Sequence, residues 1–219
     1  VDGDAAFPAM LDAIAAARHS VTLSTYIFDR EDVGIAFARA LGDARRRGVQ
    51  VRVLIDATGT RYSWPSILGV LRREGVRYAR FLPAFPRAQL VSINLRNHRK
   101  LLVVDGREAF TGGMNLRVGH CLARKPSHPV RDIQFRLRGP VVAHLQEVFA
   151  EDWLFTTGER LHGDHWFPQL EGVGPVFARG LPDGPDEDFE VLQWTLLGAV
   201  AAARSTVRVM TPYFLPNAQ

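Results

Sequence analysis

The sequence predicts an α/β fold in which helices alternate with β-strands, and three patterns support this prediction. The first apolar residues recur at helical spacing, and the next ones alternate with the two-residue period of a strand. The same succession then repeats along the chain. The first helix is indicated by Phe7, Met10, Leu11 and Ile14, and the first strand by Val21, Leu23, Thr25 and Ile27. Such alternation is typical of helices packed on a β-sheet as a sandwich.

The later elements follow in chain order. A helix beginning near Asp32 ends at Arg45–Gly48, where cations in the last turn and a glycine beyond it favour termination. Pro83 and Pro86 predict a loop between Leu82 and Arg96. The remaining predicted strands are Val49–Ile55, Val76–Phe81, a strand from His98 to Val104, a short strand into Gly112, and Arg131–Arg138. Two further helices are predicted: a short one that ends near Gly75, and one that runs from Pro140 through Trp153.

The chain divides into three predicted segments. Residues 1–157 form a first repeat, residues 158–188, rich in Gly, Pro and Asp, form a linker or long loop, and residues 189–219 begin a second repeat. The last prediction rests on a match without gaps between residues 12–28 and 198–214. Two unrelated Ala-rich helix–strand units would produce part of this match. Matching Val, Thr and Phe positions in the strand favour a true repeat.

Composition limits the possible functions. A net charge of +4 and a pI near 9.7 agree with an anionic substrate or a membrane surface, without distinguishing them. The single cysteine, Cys121, excludes an intrachain disulfide and a cysteine-rich zinc site. The best apolar stretch, Val191–Ala203, is too short to cross a bilayer. The chain begins with Val1 and has no signal segment, so we expect an upstream anchor or signal to be missing from it.

The residues of greatest chemical interest lie in Asn97–Gly106 and just beyond it. His98 and Lys100 are two residues apart, so a strand would project the imidazole and the ammonium onto one face. A lone histidine is most often structural, but an ammonium on the same buried strand is costly unless it has a role. Two glycines ending at Gly113 let the backbone approach a ligand before Asn115. A nucleophile, a cation and a neutral donor together suit attack on a phosphodiester.

Asp105 is predicted to lie away from this group. It is an odd-numbered residue, and a regular strand would turn it to the face opposite His98 and Lys100. We therefore expect its carboxylate to brace the turn at Gly106 and to make no contact with phosphate.

These residues resemble the phospholipase D superfamily. Its H-x-K-x4-D motif matches His98, Lys100 and Asp105, and its G-[GS]-x-N segment matches the glycines before Asn115. The similarity extends over nearly the whole chain, beginning with Tyr26-Ile27-Phe28, and is greatest to the bacterial cardiolipin synthase branch. The resemblance implies a mixed β-sheet flanked by helices, built as two repeats. This chain would hold the first repeat and the start of the second, and therefore half of an active site.

The resemblance also implies a mechanism that needs neither metal nor cofactor. His98 would attack the phosphodiester to give a phosphohistidine, and the histidine of the second repeat would protonate the leaving alcohol. Lys100 and Asn115 would hold the non-bridging oxygens. Asp132, where the superfamily often has an acid, would fix the tautomer of His98. The alternative interpretation of Asp132 is a surface charge at a strand edge. The further candidates for substrate binding are Tyr26 and Gly113.

Three functional hypotheses follow. The first is a phosphatidyltransferase of the cardiolipin synthase type that acts on a phospholipid such as phosphatidylglycerol. The second is a hydrolase, either a phospholipase D or a nuclease-type phosphodiesterase. The third is a truncated, non-catalytic module. We favour the first hypothesis. Its expected partners are a membrane surface and the second repeat of the same polypeptide, and nucleic acid is a less favoured partner. We expect the catalytic core to be associated with the bacterial inner membrane.

Overall fold

The computed structural model of this chain describes residues 1–82, 96–182 and 191–209. It contains two compact units, Val1–Gly180 and Leu181–Gln219. The first unit holds the β-sheet and four of the helices. The second unit contains a further helix, α5 (Val191–Ala202), whose side chains are mostly exposed.

The helices and strands of the first unit alternate as predicted. Its helices are α1 (Asp2–Ala16), α2 (Asp32–Arg46), α3 (Leu68–Arg73) and α4 (Val141–Thr157), and its strands are β1 (Ser20–Thr25), β2 (Gln50–Asp56), β3 (Tyr78–Phe81), β4 (Leu101–Val104), β5 (Glu108–Gly112) and β6 (Gln134–Arg138). The last strand is shorter than the predicted Arg131–Arg138, because pairing with β5 begins only where Gln134 meets Gly112.

The six strands form one mixed sheet in the order β3-β2-β1-β4-β5-β6. Strands β1, β2 and β3 are parallel and are joined by crossovers that contain α2 and α3. Strands β4, β5 and β6 are antiparallel to their neighbours. The reversal occurs at the centre of the sheet, where β4 pairs with β1.

Two apolar cores cover the two faces of the sheet, as the pleat of β4 shows. Leu102 and Val104 pack with α1 and α2 in one core, whereas Leu101 and Val103 pack with α4 in the other. A strand buried on both faces is apolar throughout rather than alternating with polar residues. The predicted α/β sandwich with a mixed sheet flanked by helices is therefore confirmed.

The segment after α4 belongs to the first unit as far as Gly180, whereas the predicted first repeat ended at residue 157. Its described residues, 158–182, form no helix or strand, and residues 183–188 of the predicted linker lie outside the described part of the chain. The loop nevertheless packs on the sheet, because Leu161 and Trp166 are buried in the core beside α4. Burial of these two side chains explains the later boundary.

In the match between residues 12–28 and 198–214, the strand that begins at Val21 corresponds to residues from Val207 onward. The described residues of this second stretch, 207–209, form no strand, and the rest of it lies outside the part of the chain that the structure describes. A strand needs a neighbour to satisfy its backbone groups, and the described part of the second unit offers none. No described helix is long and apolar enough to cross a membrane.

The core beside α4 gives a test of the fold. Phe149→Ala removes a fully buried ring and is expected to lower the free energy of unfolding by about 3–5 kcal/mol, measured by urea denaturation. Phe155→Ala is the matched control, because Phe155 lies on the same helix and is 69% exposed; its loss should stay near 0.5 kcal/mol. Equal losses would contradict the assignment of the inner face of α4.

Candidate active site

Loops from five strands meet at one edge of the sheet. The parallel strands β1 and β2 end there, and β4 begins there because it runs antiparallel to β1 and pairs Leu101 with Ser24. Strand β5 ends and β6 begins at the same edge. The predicted site residues in the segments just outside these strand ends are Tyr26, His98, Lys100, Gly113, Asn115 and Asp132.

His98 and Lys100 contact the same aromatic ring. The imidazole of His98 stacks on the ring of Tyr26, with centroids 4.1 Å apart and planes inclined by 20°. Nζ of Lys100 lies 5.5 Å from the centroid of that ring and donates a hydrogen bond to the carbonyl oxygen of His98 at 2.6 Å. The two side chains therefore converge, as predicted, and Tyr26 is the surface on which they meet.

The predicted strand is wrong at its start, because β4 begins only at Leu101. The N–H of Asn97 donates to Oδ2 of Asp56 at 2.9 Å, and the N–H of Arg99 donates to Oδ1 of Asn97 at 3.1 Å. Side-chain oxygens thus take the donors that a strand would offer to its neighbour.

Side chains in this segment still alternate in direction. Nδ2 of Asn97 donates to Oδ2 of Asp152 on α4 at 2.8 Å, and the guanidinium of Arg99 forms an ion pair with the same carboxylate at 2.9 Å. His98 and Lys100 instead contact Tyr26. Asp152 thereby holds the odd-numbered residues of the segment and leaves the even-numbered ones for the site.

Burial, together with the charge of Lys100, favours a neutral imidazole at His98. Burial lowers the pKa of His98 below its ordinary value, the charge of Lys100 lowers it further, and Asp56 opposes the shift. Burial also lowers the pKa of Lys100, while Asp132 and Asp56 favour its charged form. A nucleophilic histidine must be unprotonated, so the lowered pKa of His98 suits attack at neutral pH.

Asn115 is held at the same edge by its side chain. Its Oδ1 accepts a hydrogen bond from the N–H of Ile27 at 3.0 Å, which orients the amide and leaves the Nδ2 hydrogens as donors. Ile27 directly follows Tyr26, so this bond ties Asn115 to the segment that supports His98.

Gly113 and Asp132 are in direct contact. A Cβ at Gly113 would collide with a carboxylate oxygen of Asp132, so any other residue there would force that side chain to shift. Oδ1 of Asp132 accepts the N–H of Ile133 at 2.7 Å. Among the described residues no hydrogen bond joins Asp132 to the imidazole of His98, and its charge acts instead on Lys100 and His120. The carboxylate whose charge acts on His98 is that of Asp56.

Asp105 lies at the opposite edge of the sheet, beyond the far end of β4. Its carboxylate accepts the N–H groups of Arg18, His19 and Ser20 at 3.0, 2.7 and 2.9 Å. Asp105 and Gly106 have φ values of 53° and 61° in the turn to β5. The carboxylate of the motif aspartate therefore holds the segment that leads into β1, and the whole of β4 separates it from Lys100.

Two further groups shape the site and were not among the predicted site residues. Asp56 is fully buried at the end of β2, where its Oδ1 accepts the N–H of Thr58 at 2.8 Å and its Oδ2 holds Asn97. Tyr62 forms a hydrogen bond with Tyr26; burial, followed by this bond, raises the pKa of Tyr26 to about 12. The position of Asp56 directly after an apolar strand was a sequence signal for a strand-end role, whereas nothing in the sequence indicated Tyr62.

Within the described ranges, no cluster of three or more His, Cys, Asp or Glu side chains has a geometry that could hold a metal ion.

Fold and site motif together define a phospholipase D-like domain. Residues 10–153 match the model of the family described as the cardiolipin synthase PLD-like domain, and the chain belongs to this family. It is 31% identical to cardiolipin synthase 1 of Bacillus cereus, over 99% of this chain and 44% of that protein. It is 35% identical to cardiolipin synthase A of Pseudomonas entomophila, over 99% and 45%.

A solved structure shares the fold. It is a phospholipase D family member, Nuc from Salmonella typhimurium, which aligns with a TM-score of 0.53 at 20% identity and covers 72% of this chain and 93% of Nuc. The chain itself spans less than half of the length of the two cardiolipin synthases.

The position of Asp105 can be tested by a conservative change. Asp105→Asn replaces a carboxylate that accepts three N–H groups with an amide that has one acceptor oxygen. We expect the free energy of unfolding to fall by about 1–3 kcal/mol, measured by chemical denaturation. Asp164→Asn, at an exposed loop position, serves as the control. A variant with unchanged stability would refute the structural role.

Proposed function

We propose that this chain is the first half of a phosphatidyltransferase of the cardiolipin synthase type, which exchanges the alcohol of a phospholipid through a phosphohistidine intermediate. The observation that supports it most is the meeting of the His98 imidazole and the Lys100 ammonium on the ring of Tyr26. The similarity to cardiolipin synthases over 99% of the chain supports the substrate class.

In the first step, an unprotonated ring nitrogen of His98 attacks the phosphorus of the donor lipid. A P–N bond forms, the P–O bond to the headgroup alcohol breaks, and the leaving oxygen takes a proton from a general acid. In the second step, the acceptor alcohol attacks phosphorus and gives its proton to the same group, while the P–N electrons return to His98. The two steps regenerate the free His98 and the protonated general acid, and they leave a phosphodiester that carries the new alcohol.

Lys100 and Asn115 stabilise the charge that builds on the non-bridging oxygens during both steps. The Lys100 ammonium is held by the carbonyl oxygen of His98, and the orientation of the Asn115 amide leaves its N–H groups as donors. Tyr26 packs under the imidazole and holds it in place for substrate. Gly113 leaves room for the Asp132 carboxylate, whose charge favours the protonated form of Lys100.

We further propose that the second repeat of the same polypeptide supplies the general acid. The chain aligns with less than half of each related synthase, and its residues 198–214 match residues 12–28. Helix α5 contributes the helical part of that match. The histidine of the second repeat would then complete the site opposite His98.

A membrane surface is the proposed source of substrate, with the catalytic core lying against the bacterial inner membrane. One exposed tip, defined here as residues 61–65, extends from the end of the sheet that holds the site. Trp64 is 97% exposed and Tyr62 is 57% exposed, and Arg61 is also exposed. Trp and Tyr favour the membrane interface, and Arg favours anionic headgroups. The tip is linked to the site because Tyr62 contacts Tyr26.

The covalent intermediate is the direct test of the reaction. We expect mass spectrometry of the complete polypeptide, quenched rapidly without acid during turnover with phosphatidylglycerol, to find a phosphatidyl group on the peptide that contains His98. His98→Asn should lower turnover by at least about 1,000-fold. His162→Asn, at an exposed loop histidine, is the control and should remain active.

An unmodified His98 together with a label on another histidine would reverse the assigned roles. Release of phosphatidic acid by water, with no transfer to an added alcohol, would identify a hydrolase. Full activity of His98→Asn would refute the proposed mechanism.

Binding to vesicles tests the membrane contact. Trp64→Ala should weaken co-sedimentation of the chain with vesicles of anionic phospholipid by about tenfold, because an interfacial ring is lost. Phe177→Ala is the matched control, because Phe177 is fully exposed but lies in the loop after α4. Equal binding by the wild type and both variants would contradict the assignment of the tip as the lipid contact.

A further inference from the structure

We infer that His120 is a positioning residue for the phosphate-holding amide: its buried imidazole accepts the main-chain N–H of Asn115 and so fixes Asn115 at the site. The inference rests on the proposed function, in which the side chain of Asn115 donates to the phosphate oxygens. Among the described residues His120 makes no hydrogen bond or ring contact with His98 or Lys100, and its hydrogen bond to Asn115 is the direct link to the proposed site.

The hydrogen bonds of His120 use both ring nitrogens. Its Nε2 accepts the N–H of Asn115 at 3.3 Å, and its Nδ1 lies 3.3 Å from the carbonyl oxygen of Val130. The N–H of Val130 in turn donates to the carbonyl of Gly119 at 2.8 Å. The ring therefore joins the segment after β5 to the segment before β6, at the edge of the sheet where the site lies.

Only one protonation state satisfies both bonds. A carbonyl oxygen can only accept, so Nδ1 must carry the hydrogen, and a main-chain N–H can only donate, so Nε2 must be bare. The neutral Nδ1–H tautomer meets both conditions. The imidazolium would place a second N–H against the N–H of Asn115, and the opposite tautomer would break both bonds.

The surroundings keep this imidazole neutral. His120 is only 2% exposed, and the ring of Phe7 from α1 meets it edge to face at 6.4 Å. Burial is the main cause of its lowered pKa, and the charges of Arg117 and Lys100 act in the same direction. Asp132 and the Val130 carbonyl oppose the shift.

Asn115 is therefore held at two points. The imidazole of His120 fixes its main chain, and the N–H of Ile27 fixes the oxygen of its side chain. With both fixed, the Nδ2 hydrogens have a defined direction before substrate arrives. Preorganised donors of this kind stabilise transition-state charge without reorganisation. A displacement of about 1 Å in such a group can cost up to about a hundredfold in rate.

The experiment compares two substitutions of His120 in the complete polypeptide. His120→Phe keeps an aromatic ring but has neither donor nor acceptor. His120→Gln keeps an acceptor for the N–H of Asn115 and a donor for the carbonyl of Val130. We expect His120→Phe to lower kcat for transphosphatidylation by about 10- to 100-fold with KM within about threefold, and His120→Gln to recover most of the loss. His162→Phe is the control at an exposed histidine.

The same pair is then measured in an Asn115→Ala background. If His120 acts through Asn115, His120→Phe should lower kcat by less than about twofold there, since the group it positions is gone. An equal loss of kcat in both backgrounds would overturn the inference. So would a His120→Phe variant that has a lower Tm but a normal kcat, because that result would show a structural role alone.

NMR of the ring nitrogens tests the tautomer of His120 in the unsubstituted chain, so this test does not depend on how well the variants fold. We expect the chain to show the Nδ1–H tautomer of His120 at neutral pH, and an Nε2–H tautomer would overturn the inference. Failure of the proposed function gives a different result, namely activity in His98→Asn. An inactive His98→Asn together with a normal His120→Phe would reject the inference and leave the proposed function standing.

Discussion

The reversal of chain direction between β1 and β4 is the constraint on which the site depends. Strands β1 and β2 are parallel, so Tyr26 and Asp56 emerge at one edge of the sheet. Because β4 runs the opposite way beside β1, its first residues lie at that same edge. A parallel β4 would have placed Asp105 there and carried Lys100 to the far edge. The strand order therefore brings together side chains that are distant in sequence.

A fully buried carboxylate and a partly buried one hold the motif segment in place without a strand. Asp56 binds the main chain of Asn97, and Asp152 binds the side chains of Asn97 and Arg99. Burial of a carboxylate is costly unless it is hydrogen-bonded, and here main-chain, amide and guanidinium donors satisfy these groups. The same bonds direct alternate side chains to α4, which leaves His98 free to stack on Tyr26.

Family membership and the structure explain different features of the site. Membership in the cardiolipin synthase PLD-like domain family accounts for the motif and the sheet. The structure adds how the motif residues are supported: Tyr26 lies beneath the imidazole, Ile27 orients Asn115, and Asp132 packs on Gly113. These contacts bring an imidazole and an ammonium to one aromatic ring, and the proposed exchange at phosphorus rests on that arrangement.

The sequence by itself determined the elements and the local directions of side chains, because helical and strand periods are properties of consecutive residues. It predicted the sandwich, the convergence of His98 with Lys100 and the separation of Asp105 from them. Only the tertiary structure decided that β4 begins at Leu101, that the first unit extends to Gly180, and that Asp56 and His120 accept hydrogen bonds from the main chain of Asn97 and Asn115. Each of these depends on packing or hydrogen bonds between segments that the fold brings together, and periodicity carries no information about such partners.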